Sequence, residues 1–230
     1  TLSSGDQLDL SQTVRATEDQ SEAAASDAVD KLVSLVIGNR RELLSWTEAR
    51  PRLTPRPVRE DFLIELQERG AIDLWSAPLG NGLHTALLIE YGDRARYLRE
   101  AEPRSWGIDD DELLSAAMTN LAGHSHSAPM QRLDSAAGNP VVISRGRDAR
   151  DAARILLPGM PQVLDEALGG PAVVAIPHRD TLLACRASDL DACRELREMA
   201  ESSMERAPHG LSAELFSFGP TGPRPFAKVA

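Results

Sequence analysis

The sequence predicts an α+β fold: a single mixed or antiparallel sheet of about five or six strands, with helices packed on one face and an N-terminal helix before it. Three observations point there. Short apolar, β-prone runs such as Ala172-Val173-Val174-Ala175-Ile176 recur along the chain. They alternate with segments whose apolar residues fall at helical spacing. The 230 residues hold 42% hydrophobic and 26% charged side chains, enough to bury a real core and too apolar for wholesale disorder.

Residues 1–22 are rich in Ser, Thr, Gln and Asp and show no apolar periodicity. They lack a basic segment followed by an apolar one, so they read as a flexible acidic tail and not as a secretory signal. Residues 23–46 read as an amphipathic helix, carrying Ala28, Val29, Leu32, Val33, Leu35 and Val36 with Ser26 or Asp27 as N-cap. Its stripe faces either the domain body or another copy of itself. Arg50-Pro51-Arg52-Leu53-Thr54-Pro55-Arg56-Pro57 follows. Prolines at this density forbid a helix interior, so the segment is an extended connector or an edge strand. It is also the most basic stretch of the chain, read either as a docking strip for an acidic partner or as solvated arginines.

Leu83, Ala86, Leu87, Leu88, Ile89 and Tyr91 form a strand, Gly92-Asp93 a turn, and Ala95-Arg96-Tyr97-Leu98 the returning strand of a hairpin. Asp109, with Glu112 three residues on, opens a helix bearing Leu113, Leu114, Ala117, Met118 and Leu121. Pro140-Val141-Val142-Ile143-Ser144 reads as a buried strand, residues 148–157 as a helix, and Val163, Leu164, Ala167 and Leu168 as another, closed by Gly169-Gly170. The run at 172–176 stops at Pro177 and resumes as Thr181-Leu182-Leu183-Ala184-Cys185, a second hairpin. Ser188 caps a helix with Leu190, Cys193, Leu196 and Ala200, and Glu214-Leu215-Phe216-Ser217-Phe218 is the last strand. Residues 219–230 are too rich in Gly and Pro to be regular. Without an internal repeat or clear linker, residues 47–218 read as one domain.

The net charge of -10 argues against a general nucleic-acid binder, because phosphate affinity comes from Lys and Arg, and 4% aromatics leave few stacking platforms for bases. No apolar run approaches the roughly 20 residues of a membrane span. Two cysteines, Cys185 and Cys193, are too few for a disulfide scaffold and fit a reducing, cytoplasmic setting.

Several blocks carry a family resemblance. They are Pro78-Leu79-Gly80, the strand from Leu83 to Tyr91, Trp106-Gly107-Ile108, Asp111-Glu112-Leu113-Leu114 and Ala117-Met118-Thr119-Asn120-Leu121. Further on come Ala152-Ala153-Arg154-Ile155-Leu156-Leu157-Pro158, then Ala175-Ile176-Pro177 with Arg179-Asp180 and Leu182-Leu183, and finally Leu211-Ser212-Ala213-Glu214-Leu215-Phe216. In this order, over residues 50–218, they resemble the DUF1444 family of uncharacterised bacterial proteins, also called YtpQ-like or UPF0354. Asn81-Gly82 departs from the pattern, where an acidic residue is expected before the first strand. The resemblance implies an α+β fold and supplies no catalytic residues.

Four groups of residues could carry chemistry. The corner His178-Arg179-Asp180, between two buried strands, would place an anion clamp (Arg179) beside a general base or ligand (His178); its structural alternative has Asp180 capping the turn and Arg179 paired with an acid. His124-Ser125-His126 could put two imidazoles on one metal if extended, against a solvated loop. Cys185 could be a nucleophile with His178 as base, although cysteines in apolar runs are mostly inert. Arg145, Arg147 and Arg150, at a helix start, could hold an anion, although Asp148 and Asp151 partly cancel them. No P-loop, G-x-G-x-x-G, G-x-S-x-G or H-E-x-x-H motif occurs, and Gly80-Asn81-Gly82 is a turn. The expected function is therefore a non-catalytic protein-interaction module without a cofactor. It would bind another protein or a second copy through the N-terminal helix or the Pro/Arg strip at 50–59, away from any membrane. The alternative is a small hydrolase or other anion-handling enzyme centred on His178, Arg179 and Asp180.

Overall fold

Among the described residues ten strands form two antiparallel sheets where one was expected, although the larger sheet alone has the anticipated six strands. The structure is a computed structural model describing residues 44–68, 73–92, 94–126, 130–135, 138–144, 146, 148–207 and 210–226. The expected tail at 1–22, nearly all of the expected helix at 23–46, and Arg145 and Arg147 lie outside the described residues.

The smaller sheet is built around β3 (Leu83–Tyr91). β1 (Leu53–Arg59) runs along one edge of β3 from Leu53↔Ile89 to Arg59↔Leu83. β2 (Ser76–Gly80) and β4 (Arg94–Tyr97) lie end to end along the other. Residues 53–97 thus occupy both edges of β3, which is why it joins no second sheet. From Leu53 on, the Pro/Arg strip is β1, an edge strand as one of the two readings had it, while Arg50–Arg52 form a 3₁₀ turn. Pro55 and Pro57 alternate, so their missing N–H groups fall on the same, outer edge, while the intervening residues bond to β3. The tight turn into β3 is made by Gly80, Asn81 and Gly82, all with positive φ (97°, 53° and 70°).

The larger sheet has the order β10-β9-β7-β8-β6-β5. Its strands are β5 (Met130–Asp134), β6 (Pro140–Ser144), β7 (Ala172–His178), β8 (Thr181–Arg186), β9 (Phe216–Gly219) and β10 (Gly222–Pro225). β5 was not anticipated. Nor was β10, whose Gly/Pro sequence read as irregular; it pairs with β9, and Gly222 adopts the φ of 124° that the approach requires.

Among the described residues there are six α-helices: α1 (Trp46–Ala49), α2 (Glu60–Glu68), α3 (Ala101–Trp106), α4 (Asp110–Ser125), α5 (Met160–Leu168) and α6 (Leu190–Arg206). Asp109 caps α4 as expected, accepting from the Glu112 amide at 2.8 Å. Asp189, not Ser188, caps α6, accepting from the Ala192 amide at 2.9 Å.

Helices cover both faces of the larger sheet, not one. Ala192, Cys193, Leu196 and Ala200 of α6 pack on Val141, Ile143, Val173, Ala175, Leu183 and Cys185. On the opposite face, Met160, Leu164 and Leu168 of α5, with the 3₁₀ segment Ala152–Leu156, cover Val142, Val174, Ile176, Leu182, Ala184 and Phe216. Strands that are apolar at every position, rather than at alternate ones, require this. The 3₁₀ segment replaces the helix expected at 148–157: Ala149 has φ 62°, which ends α-helical geometry, and the acids here turn inward to an arginine. Leu79 and Leu83 extend the same core, so the two sheets share apolar packing at one end of β3. The rest of the smaller sheet packs Leu53, Leu87, Ile89 and Leu98 against Leu113, Ala116 and Ala117 of α4.

Candidate functional site

β7 and β8 meet at the corner singled out in the sequence, with His178 opposite Thr181 and a register shift after Ala175. Pro177 cannot donate to the ladder, which explains the irregularity there. The His178 ring closes back on the turn. Nδ1 accepts from the Asp180 amide at 3.3 Å, and Nε2 lies 3.0 Å from Thr181 Oγ1. The Arg179 Nε donates to Asp180 Oδ2 at 3.1 Å, and the Arg179 carbonyl accepts from the Ala152 amide at 3.0 Å. The three residues are thus tied to one another, to their own backbone and to the neighbouring 3₁₀ segment.

Tyr97 of β4, remote from the corner in sequence, is half-buried, and burial raises its phenol above the usual tyrosine range. The cations of Arg56 and Arg179 both act against that rise, which puts a guanidinium from β1 and one from the corner in electrostatic reach of one hydroxyl. The Phe62 ring stands 5.6 Å from the Tyr97 ring. No local pattern could have announced this grouping, because it joins two sheets.

Beneath the corner lies a buried polar cluster. Arg154 is 1% exposed and Asp151 is fully buried. The Arg154 guanidinium donates to Asp151 Oδ1 at 2.8 Å and to Asp148 Oδ2 at 2.6 Å. Asp151 Oδ1 also accepts from Ser144 Oγ and, at 2.9 Å, from the Gly146 amide. Burial pushes the Asp148 carboxyl up, but the hydrogen bonds and charge of Arg154, with the amide and charge of Arg150, together outweigh it and hold the group below its ordinary value. Arg150, expected as an anion ligand, donates to the Asp148 carbonyl at 3.1 Å and to the Glu90 carboxylate. It serves as a fastener between this loop and β3.

The remaining sites are dispersed. His124 sits in the last turn of α4, and His126 Nδ1 lies 2.8 Å from the Ala122 carbonyl. Residues two apart on a helix diverge, so the shared face that an extended H-x-H offers is lost. Among the described residues no group of three or more His, Cys, Asp or Glu side chains gathers in a metal-holding arrangement. Cys185 lies opposite Val173, five residues along β7 from His178, or roughly 16 Å at strand rise. Its Sγ is 3.8 Å from that of Cys193 inside the α6-side core, and the Cys193 contact and burial push the Cys185 thiol up. His178 cannot act as its base from there. Two surface cavities lie elsewhere. One of about 210 Å³ includes Glu60, Gln67, Ser76 and His84 in its wall; the other, about 500 Å³, includes Arg59, Asn81, Glu201 and Met204. Neither wall contains a residue of the corner. Among the described residues no helix is long and apolar enough to cross a membrane.

Comparison with known proteins agrees with the resemblance read from the sequence. The chain is 30% identical over 95 residues to a UPF0354 protein of Listeria monocytogenes serovar 1/2a, a match covering 41% of this chain and 35% of the relative. It is 31% identical over the same length to a UPF0354 protein of Listeria innocua serovar 6a, with the same coverage. The match thus spans about a third of the length of these curated relatives, whose names state no activity. No family model matches the chain, and no solved structure matches it.

Proposed function

We propose that this relative of the UPF0354 proteins is a non-catalytic module that binds another protein. The observation that carries the reading is the closure of the corner. His178 has both ring nitrogens engaged within its own turn, and the exposed Arg179 turns its Nε to the adjacent Asp180. A general base needs a free lone pair within reach of a substrate proton, and an anion clamp needs guanidinium N–H groups aimed into a cleft. His178 offers no such lone pair, and no corner residue lines either of the two cavities described. Exposed strand edges and basic residues such as Arg50 and Arg52 offer contact surface instead.

A second reading, an enzyme or binder that handles an anion at the same corner, has one observation in its favour: Arg56 and Arg179 both act on Tyr97. Affinity capture with the full chain as bait, analysed by mass spectrometry, separates the two. The module reading expects a stoichiometric partner that Arg179→Ala still retains. If nothing is retained, and the chain instead turns over a phosphate or carboxylate ester in a way that Arg179→Ala abolishes, the module reading fails.

A further inference from the structure

Sheet edges are where a β-rich protein invites or refuses partners, because an unpaired row of N–H and C=O groups is a template for another strand. In this molecule the long edges are treated unequally. β1 carries Pro55 and Pro57, β2 carries Pro78, and β10 carries Pro223 and Pro225, each removing a donor. β5, Met130-Gln131-Arg132-Leu133-Asp134, ends the larger sheet and has no proline. Gln131, Arg132, Leu133 and Asp134 are all exposed, Leu133 at 41%.

We infer that the β5 edge pairs with β5 of a second copy of this chain, antiparallel and centred on Leu133. The inference rests on the interaction-module reading and names its partner. Backbone parity comes first. Asp134 lies opposite Pro140, which has no N–H, so that pair cannot exchange hydrogen bonds. Alternation then directs the amides of Gln131 and Leu133 toward β6, and those of Met130, Arg132 and Asp134 outward. A two-fold partner must match outward residues to outward residues. Centring the pair on Arg132 sets two arginines face to face. Centring it on Gln131 gives Arg132 no acid. Centring it on Leu133 sets Arg132 opposite Asp134 of the second copy, twice, with the two exposed leucines meeting on the axis. That register joins opposite charges in its hydrogen-bonded pairs and apolar groups in the pair between them. An isologous two-fold contact of this kind closes on itself and leaves only the proline-bearing β10 edge of the larger sheet open. The Arg132 side chain is already steadied, because its Nη1 donates to the Ala167 carbonyl of α5 at 3.0 Å.

Sedimentation velocity on the full chain at 0.15 M salt tests this; a Debye length of about 8 Å then screens the repulsion between two chains of charge -10. The expected species has twice the 24.9 kDa chain mass. Asp134→Arg leaves only arginines along the edge and Arg132→Asp only aspartates, so each variant alone should sediment as a monomer with an unchanged circular-dichroism spectrum. An equimolar mixture of the two should restore the dimer as a heterodimer, an outcome that misfolding of either variant could not produce. A wild-type chain that stays monomeric, or a dimer that both variants leave intact, overturns the pairing. A monomer that still captures a different protein would refute self-pairing while sparing the module reading. A monomer that captures nothing and turns over an ester would refute both.

Discussion

Arg96 and Glu102 form an ion pair with both side chains nearly sealed from water, at 5% and 6% exposure. The pairing is bidentate, at 2.7 and 2.6 Å, and Glu102 Oε2 also accepts from the Arg99 amide at 2.9 Å. Replacing Glu102 by Ala leaves a guanidinium in the interior with its main counter-charge gone. Breaking a buried pair from one side costs about 3–5 kcal/mol. For a chain of this length that is on the order of 10 °C in melting temperature, and a large part of a typical stability of about 5–15 kcal/mol. Arg96→Met with Glu102→Leu removes both charges and should recover most of the loss. Urea denaturation followed by circular dichroism, run as a double-mutant cycle, measures both effects. The solvent-exposed pair Arg104–Glu100 is an internal control whose removal should change nothing measurable. A Glu102→Ala loss below about 1 kcal/mol, or additivity in the cycle, would refute the claim that burial makes this pair matter.

Three other outcomes follow from the same physics. The Asp148 carboxyl is held below its ordinary value in the folded state, so its contribution is complete above the unfolded value of about 3.9 and is lost as pH falls through the lowered one. Asp148→Asn should therefore flatten the acid limb of urea midpoints measured between about pH 2 and 5. A Cβ at Gly146 would stand 3.0 Å from Arg154 Nη1 and 3.2 Å from both Asp148 Oδ1 and Asp151 Oδ1, atoms held in place by their mutual hydrogen bonds. Gly146→Ala should accordingly cost about 1–3 kcal/mol, read from the same denaturation curves. Cys185 and Cys193 are both buried, so a thiol reagent at neutral pH should titrate them only after denaturation; modification of the native chain within seconds would place a thiol at the surface.

What could be read in the sequence was what local chemistry decides. The runs at 83–91, 140–144, 172–176 and 181–185 became strands because their side chains suit a dry pleated surface, and Asp109 became an N-cap because a free carboxylate answers free amides. β5 escaped notice because four of its five residues face solvent, leaving no apolar alternation to see. β10 escaped because its regularity is borrowed from β9 across a two-residue turn. The uninterrupted apolar strands held the evidence for helices on both faces, while the division into two sheets depended on which edges of β3 were already taken. At the corner, the sequence named His178, Arg179 and Asp180. It could not show that Thr181 and Asp180 would occupy the imidazole, or that Tyr97 and Arg56 would approach from another sheet.

The strand order of the larger sheet also bears on how the chain assembles. β5–β6, β7–β8 and β9–β10 are three hairpins laid side by side, each closed by a short connection and so formed at low entropic cost. The long-range closures are the β6–β8 seam, which spans α5 in sequence, and the β7–β9 seam, which spans α6. The second seam is in register at a single pair, Val174↔Phe216. Phe216 thus makes the single in-register strand pair that joins the final hairpin to the other two, and a local opening of the sheet that spares both neighbouring hairpins would part it there.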